Sequence, residues 1–365
     1  MLTGSPNILR KYNQDLIRRL IHKFGPITKP ELSKISHLSV PTVNKIVDDL
    51  LGSEILCLAE NNEGNVGRKA QKFMINPDKG RILVLYYQDR TMTTNITDFL
   101  GQNVFSAQDV DKSTDLPSFL SFIDEKINHF LDMTKEKQDL AVCVGIPGVV
   151  SSQNLILNIP SKSYLEGFNL KNYIEKKFNL STFVENDVNL KTIGFFNGEV
   201  KGKYDNFVYI YISEGFGSGI IIKGDLFKGY SNFAGEFGHM PIIKNRLNDF
   251  VRLSPIEKEY NSLIEKILTS QIEEEEAFQK YIQLLSVILC NFISVINPGL
   301  IALQAPKINE ESITALKEEL MLVIPEDAIP VLKIAQEKKY GLDGAFDYCL
   351  DNFLTSIHIV HQKGY

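Results

Sequence analysis

Two short runs in the middle of this 365-residue chain gather side chains suited to handling hydroxyl groups. Residues 184–189 read VENDVN, and residues 234–241 read AGEFGHMP. Residues 182–185 pattern as a strand and 188–197 as a helix, so Asn186 and Asp187 fall where a strand hands over to a helix. A carboxylate there can take a hydrogen bond from a bound hydroxyl, orienting and polarising it. The same placement serves proton abstraction and simple binding equally well. Glu236 and His239 are one turn apart if their segment is helical, so both can face a single pocket. Between the two runs, Gly215, Gly217 and Gly219 form a spaced glycine turn. Such a turn can approach a phosphate, or it can be no more than a tight strand connection.

The elements that must position these groups are mixed α/β. Residues 76–80, NPDKG, read as a linker. Beyond it, 81–87 and 93–98 pattern as paired strands, with a turn at 99–102 into a third and a helix over about 116–133. The strand AVCVGIPGVV, ending in a glycine–proline loop, and a helix at 170–178 precede the VENDVN strand. The order then resumes with strands at 207–212, 218–223 and 226–228, and helices near 256–269 and 273–296. A strand at 300–304 and a terminal helix over about 344–359 complete the reading. Two α/β lobes repeating one theme place a pocket in the cleft between them.

The N-terminal segment reads differently. Leu16, Ile17, Leu20 and Ile21 share one helical face, ended by Gly25-Pro26. Thr28 caps a second helix, with Pro30 early, Glu31 at the capping-box position, and Leu32 and Ile35 pointing inward. Ser39 caps a third, which buries Val43, Ile46, Val47 and Leu50. Three short helices with a tight turn before the last describe a helix-turn-helix, whose third helix enters a major groove. Ser39, Val40, Thr42, Asn44 and Lys45 lie on its leading turns; Thr42 and Asn44 can bond base edges or phosphates, and Lys45 suits a phosphate. Residues 54–60 and 72–75 form strands around the Asn- and Gly-rich tip NNEGNVGRKAQ, a wing that carries Arg68 and Lys69 toward a minor groove or its phosphates. The bland alternative is a small helical bundle for protein contact.

Charge supports the first reading. Residues 1–80 hold 12 Lys/Arg against 8 Asp/Glu, whereas the whole chain is −6, leaving about −10 on the remainder by difference. A basic head suits phosphates and an acidic body does not. At 44 % hydrophobic and 23 % charged, the composition is that of a soluble globular protein of two or three domains. No apolar run approaches roughly 18 residues and the N-terminus has no apolar leader core, so no membrane association and a cytoplasmic location are expected. The four cysteines are widely spaced in apolar settings, as buried free thiols are.

From Asn13 onward the chain resembles the ROK family (repressor, open reading frame, kinase), in its xylose-repressor-like subgroup. The residues that carry the resemblance are the helix-turn-helix with its wing, VGIPGVV, Asn158-Ile159-Pro160, VENDVN, EGFGSG and AGEFGHMP. The resemblance implies a winged helix-turn-helix over 1–77 followed by a duplicated actin-like or ribonuclease-H-like α/β fold. Its lobes would cover 78–195 and 196–343, with a C-terminal helix near 344–362 packing back on the first. It implies sugar contacts at Gly148, Asn158, Asn186, Asp187, Glu236, His239 and Glu257, with Asp187 at the position of the kinases' catalytic base.

Three departures from the family pattern matter. The kinases' Asp-x-Gly-x-Thr phosphate hairpin falls on Tyr86, Gln88 and Arg90, so its carboxylate and glycine are gone and a bulky loop fills the nucleotide space. The adenosine-side glycine pair falls on Gln304-Ala305. The family's structural zinc uses a histidine and three cysteines, yet residues 244–259 contain no cysteine, and a closed zinc site needs four ligands. The expectation is therefore a non-enzymatic, sugar-responsive regulator without metal or other cofactor. As a repressor it binds a double-stranded DNA operator as a homodimer or higher homo-oligomer, because one recognition helix gives too little affinity alone. The rival readings are a sugar kinase with a divergent nucleotide site, and a regulator controlled by a protein partner.

Overall fold

The computed structural model describes residues 6–59, 70–88, 90–137, 139–213, 215–240, 262–263, 274–336 and 339–360. At the N-terminus, helices α1 (Pro6–Phe24), α2 (Lys29–Ser36) and α3 (Val40–Gly52) pack with the short strands β1 (Ile27–Thr28), β2 (Leu56–Leu58) and β3 (Lys72–Ile75). The three strands form one antiparallel sheet in the order β1–β3–β2. Local chemistry sets these boundaries. Thr28 and Glu31 complete a capping box at α2, His37 takes a left-handed conformation that stops it, and Ser39 accepts from Thr42 N to start α3. Val43, Ile46, Val47 and Leu50 are buried as the periodicity predicts. Ile35 is not: at 39 % exposed it lies near the end of α2, where the core is already closed by Leu32 and Ser36. The wing tip, residues 60–69, lies outside the described residues.

The body contains two five-stranded sheets. In the first, β4 (Gly80–Gln88), β5 (Thr91–Thr97) and β6 (Asn103–Val110) form an antiparallel meander. β7 (Asp139–Ile146) pairs parallel with β4, and β10 (Ser181–Asn186) parallel with β7. A two-stranded ribbon, β8 (Val149–Val150) with β9 (Ile156–Leu157), follows β7. Helices α4 (Leu116–Met133) and α5 (Leu170–Phe178) cover one face. In the second sheet, β11 (Phe207–Ile212), β12 (Phe216–Ile222) and β13 (Asp225–Leu226) form the meander. β14 (Leu300–Gln304) and β15 (Val331–Ile334) continue it in parallel beyond β11. Both sheets thus have one connectivity: a meander, then two parallel strands on the far side of its first strand.

Helix α6 (Asp187–Phe195) contacts strands of both sheets. On the second sheet's other face lie α7 (Glu274–Ile296) and α8 (Glu310–Met321). The C-terminal helix α9 (Tyr340–Val360) packs against α6, β4 and β7. It begins before the expected residue 344, and α8 and β15 correspond to no expected element. The helix expected near 256–269 falls almost wholly outside the described residues. Contrary to the composition reading, α7 is long and apolar enough to cross a membrane. Its Tyr281, Ile282, Leu285, Ile288, Leu289 and Phe292 are buried in the core of the second sheet, which is what a core helix of this length requires.

The glycine turn also resolves differently. Gly217 and Gly219 belong to β12 itself, which starts at Phe216 instead of residue 218. A Cβ on Gly219 would stand 2.0 Å from Thr192 Oγ1, and one on Gly217 2.9 Å from Val188 Cγ2. These glycines let a strand lie directly on α6.

The head and body share their packing. Ile17 and Ile21 of α1 belong to the same buried cluster as Ile82 and Val84 of β4 and Leu350, Phe353 and Leu354 of α9. Burying each such side chain fully contributes roughly 1.5–3 kcal/mol.

Candidate functional site

The candidate site lies where the first sheet's parallel strands end against the loops of the second lobe. Asn186 organises it. Its Oδ1 accepts from Asn189 N (2.9 Å), capping α6, and its Nδ2 donates to the Gly148 carbonyl (2.9 Å). One side chain thereby fixes both the β7–β8 turn and the first residue of α6, Asp187, which is 7 % exposed. Gly148 has φ +101°, and a Cβ there would be 2.9 Å from the Leu157 carbonyl, so the turn requires glycine.

Across the cleft, Glu236 leads into a single 3₁₀ turn, Phe237–His239. Gly235, at φ +96°, allows the preceding bend to press against the Ser218 carbonyl. Asn158, after β9, meets both residues: its Nδ2 lies 3.4 Å from Glu236 Oε2 and 3.4 Å from His239 Nε2. Gly148 with Asn186, and Asn158 with Glu236 and His239, thus form two bonded groups, and Asp187 directly follows Asn186. Glu257 lies outside the described residues.

Two neighbouring ion pairs had no sequence signal. Glu185 is 2 % exposed and pairs with Lys228 of the second lobe at 2.8 Å, while its other oxygen accepts from Asn186 N and Asn189 Nδ2. Burial, with the Glu185 charge beside it, pushes the Tyr348 phenol well above its ordinary value. Lys162, in the turn after Asn158, lies 2.5 Å from Asp111 and amid the rings of Tyr87, Phe119 and Tyr164. Burial lowers the Lys162 pKa, but the bonds to Asp111 and the tyrosines outweigh it and the net shift is upward. The pair pins the Asn158 loop to the first lobe.

Tyr86, Gln88 and Gln304, on which the kinases' nucleotide motifs are expected to fall, all make contacts within the fold. Tyr86 lies between two glycines: a Cβ on Gly341 would be 2.3 Å from Tyr86 Cζ, and one on Gly145 2.7 Å from its Cδ2. The Tyr86 hydroxyl donates to the Asp187 carbonyl at 3.2 Å. Gln88 Nε2 donates to the Tyr211 hydroxyl on β11 (3.2 Å), and Lys191 Nζ sits 3.8 Å above the Tyr211 ring. Gln304 accepts from the Tyr209 hydroxyl at 2.6 Å.

At the head, Ser39, Val40 and Lys45 are exposed, while Thr42 and Asn44 are half-buried. Thr42 Oγ1 is 2.8 Å from Ser39 Oγ, so its hydroxyl already takes part in the cap. Arg68 and Lys69 lie outside the described residues. His22 faces Asp347 of α9 at 3.5 Å, and Asp347 also accepts from Asn197 Nδ2 at 2.6 Å. Among the described residues, no three His, Cys, Asp or Glu side chains group to hold a metal ion. The family's zinc set does not fit here, because its cysteines are missing from the sequence and His239 Nε2 faces Asn158.

Residues 100–248 match the model of the ROK family. The xylose repressor of Bacillus spizizenii is 25 % identical over 239 residues, covering 64 % of this chain and 61 % of the relative. This match spans less than two thirds of that curated relative's length. Among solved structures, a ROK family transcriptional regulator described as a homologue of E. coli MLC superposes with TM-score 0.73 at 20 % identity, covering 97 % of this chain and 99 % of that one. A ROK hexokinase from Thermus thermophilus gives TM-score 0.61 at 16 % identity over 77 % of this chain and 99 % of its own. These likenesses show a shared mixed α/β fold, and residues 100–248 of the chain are similar to the ROK family, its xylose repressors included.

Proposed function

We propose that this chain is a sugar-responsive, DNA-binding transcriptional regulator acting as a repressor, whose kinase-like sugar site survives while its nucleotide site is closed. The observation that carries the proposal is the contrast around α6: hydroxyl-binding groups meet at its start, and the Tyr86 ring fills the space beside it. Phosphoryl transfer needs backbone N–H groups and metal-bound phosphates to spread developing charge. A tyrosine wedged between Gly145 and Gly341 supplies neither and blocks their approach. Asp187 is then a binding carboxylate rather than a base. Gly148, Asn158, Asn186, Glu236, His239 and Glu257 are the proposed sugar contacts.

The N-terminal helices and three-stranded sheet fit a winged helix-turn-helix over 1–77, with α3 as the reading helix. The repeated connectivity of the two sheets supports a duplicated actin-like or ribonuclease-H-like body, with lobes at 78–195 and 196–343 and α9 returning to the first. A homodimer on a pseudo-palindromic operator and a cytoplasmic location complete the reading.

The response travels through helices in direct contact. α6 starts at Asp187 and crosses α9 with no side chain between: Cβ atoms on Gly194 and Gly344 would lie 2.0 Å from the Tyr340 carbonyl and 1.9 Å from the Leu190 carbonyl. α9 presents Asp347 to His22 of α1, and Asn197, just past α6, holds the same carboxylate. A sugar that favours one lobe arrangement thereby biases the placement of the DNA heads. Calorimetric titration of the full chain tests the reading: a small sugar should bind and ATP with Mg²⁺ should not. ATP consumption in the presence of any sugar would favour the kinase rival.

A further inference from the structure

The segment joining β13 to Glu236 forms a tight turn. Ala234 N donates to the Lys228 carbonyl (3.1 Å), and Gly229, at φ +71°, packs close to Ala234. Both flanks of the turn are tied to the first lobe, Lys228 through buried Glu185 and Asn232 through the Val150 carbonyl at 3.0 Å. Yet this anchored turn leaves aromatic side chains in water. Phe227 and Phe233 are 43 % and 45 % exposed, and Tyr230 is fully exposed. The Phe233 ring stands 5.4 Å from the His239 ring, so the aromatic edge is continuous with the polar cluster.

Aromatic faces held open on a fixed turn forgo the burial free energy that normally draws such side chains inward, and clustered exposure of this kind marks a contact surface. The adjoining polar groups suit one sugar ring. The C–H face of a second ring linked to it would meet Tyr230 and Phe233, offering apolar surface to an apolar platform while its hydroxyls stay in water.

We infer that Tyr230, with Phe233 and Phe227, forms a second sugar subsite at the mouth of the pocket, and that the effector is a disaccharide or longer glycan instead of a free monosaccharide. The inference rests on the sugar-sensor reading. It is tested by titrating the full chain with matched pairs: xylose and xylobiose, glucose and cellobiose, glucose and maltose. One disaccharide should bind about tenfold tighter than its own monosaccharide. Y230A, which alters a fully exposed residue outside the polar cluster, should remove most of that preference and leave monosaccharide affinity unchanged. F227A should reduce it further when combined. Monosaccharides binding as tightly as their disaccharides, or a disaccharide preference indifferent to Y230A, would overturn the subsite while leaving the sensor reading standing. A failure of every sugar to bind would remove both. Loss of self-association in Y230A, with sugar binding intact, would assign the aromatic edge to a subunit interface and overturn the inference.

Discussion

The two ends of the cleft around α6 differ in how their polar groups are arranged. At the hydroxyl end, Asn158, Glu236 and His239 meet at 3.4 Å, long contacts that a ligand's hydroxyls can replace. At the other end, Tyr86 packs between two glycines, and Gln88 with Tyr211 and Lys191 with the Tyr211 ring join the lobes directly. One end is a set of groups whose bonds can be exchanged; the other is packed as a core is. The comparison teaches that the backbone at the start of α6 is held by caps and glycines that do not depend on how the Tyr86 side is packed.

The largest effect that would sharpen this contrast is on stability. Tyr86→Ala removes a 5 % exposed ring and should cost about 3–5 kcal/mol, read as a lowered denaturation midpoint, without conferring ATP consumption. Little destabilisation would mean that the ring is not packing filler. Next, Asp187→Asn keeps the shape of α6 but weakens a charge-assisted hydrogen bond worth roughly 1.5–3 kcal/mol, so sugar affinity should fall about 10- to 150-fold with DNA affinity unchanged. Unaltered sugar binding would remove Asp187 from the site, and a persisting regulatory response would favour a protein trigger.

A smaller effect concerns pH at the α1–α9 junction. Burial lowers the His22 pKa, but the bond to Asp347 and the charges of Asp351 and Asp347 outweigh it, against Lys201, and the net shift is upward from 6.5. A raised folded-state value means that the protonated form is bound more tightly in the native state. Its stabilisation is fully present below the unfolded value and disappears as pH rises through the folded one. Asp343 and Asp351, raised chiefly by burial, act in the same direction in their own acidic range. The protection of α1 amides relative to their intrinsic exchange rates should therefore fall as pH rises through neutrality, and His22→Gln should flatten that dependence. A profile identical to wild type would assign the coupling elsewhere. Smallest in its effect on fold, Lys45→Ala should weaken operator binding uniformly across sequences and lower the log–log salt slope by about one, measured by anisotropy titration. A change in base preference instead would make Lys45 a base reader.

What the sequence made legible follows range. The caps at Thr28 and Ser39 act within three residues, and each starts its helix as the residue pattern predicts, whereas the cap at Asn186 starts α6 one residue before the expected 188. Glu236 and His239 are close because they are near in sequence, and Asn158 meets both from 78 and 81 residues away. By contrast, the partners of Glu185, Asp111 and His22 lie 43, 51 and 325 residues away, and no local pattern specifies such pairings. Ile35 shows the same limit from the other side. Helical periodicity marks it as inward-facing, but whether a core exists opposite it depends on tertiary packing. The glycines of β12 were ambiguous until Val188 and Thr192 appeared beneath them.

The central claim is that one pocket controls one DNA-binding head. Fluorescence anisotropy of labelled DNA from upstream of the chain's own gene, with and without a panel of mono- and disaccharides, tests it most directly. The account predicts tight, salt-sensitive binding that one sugar abolishes in wild type but not in Asp187→Asn. Absence of specific binding at low salt, or binding that no sugar alters, would contradict it.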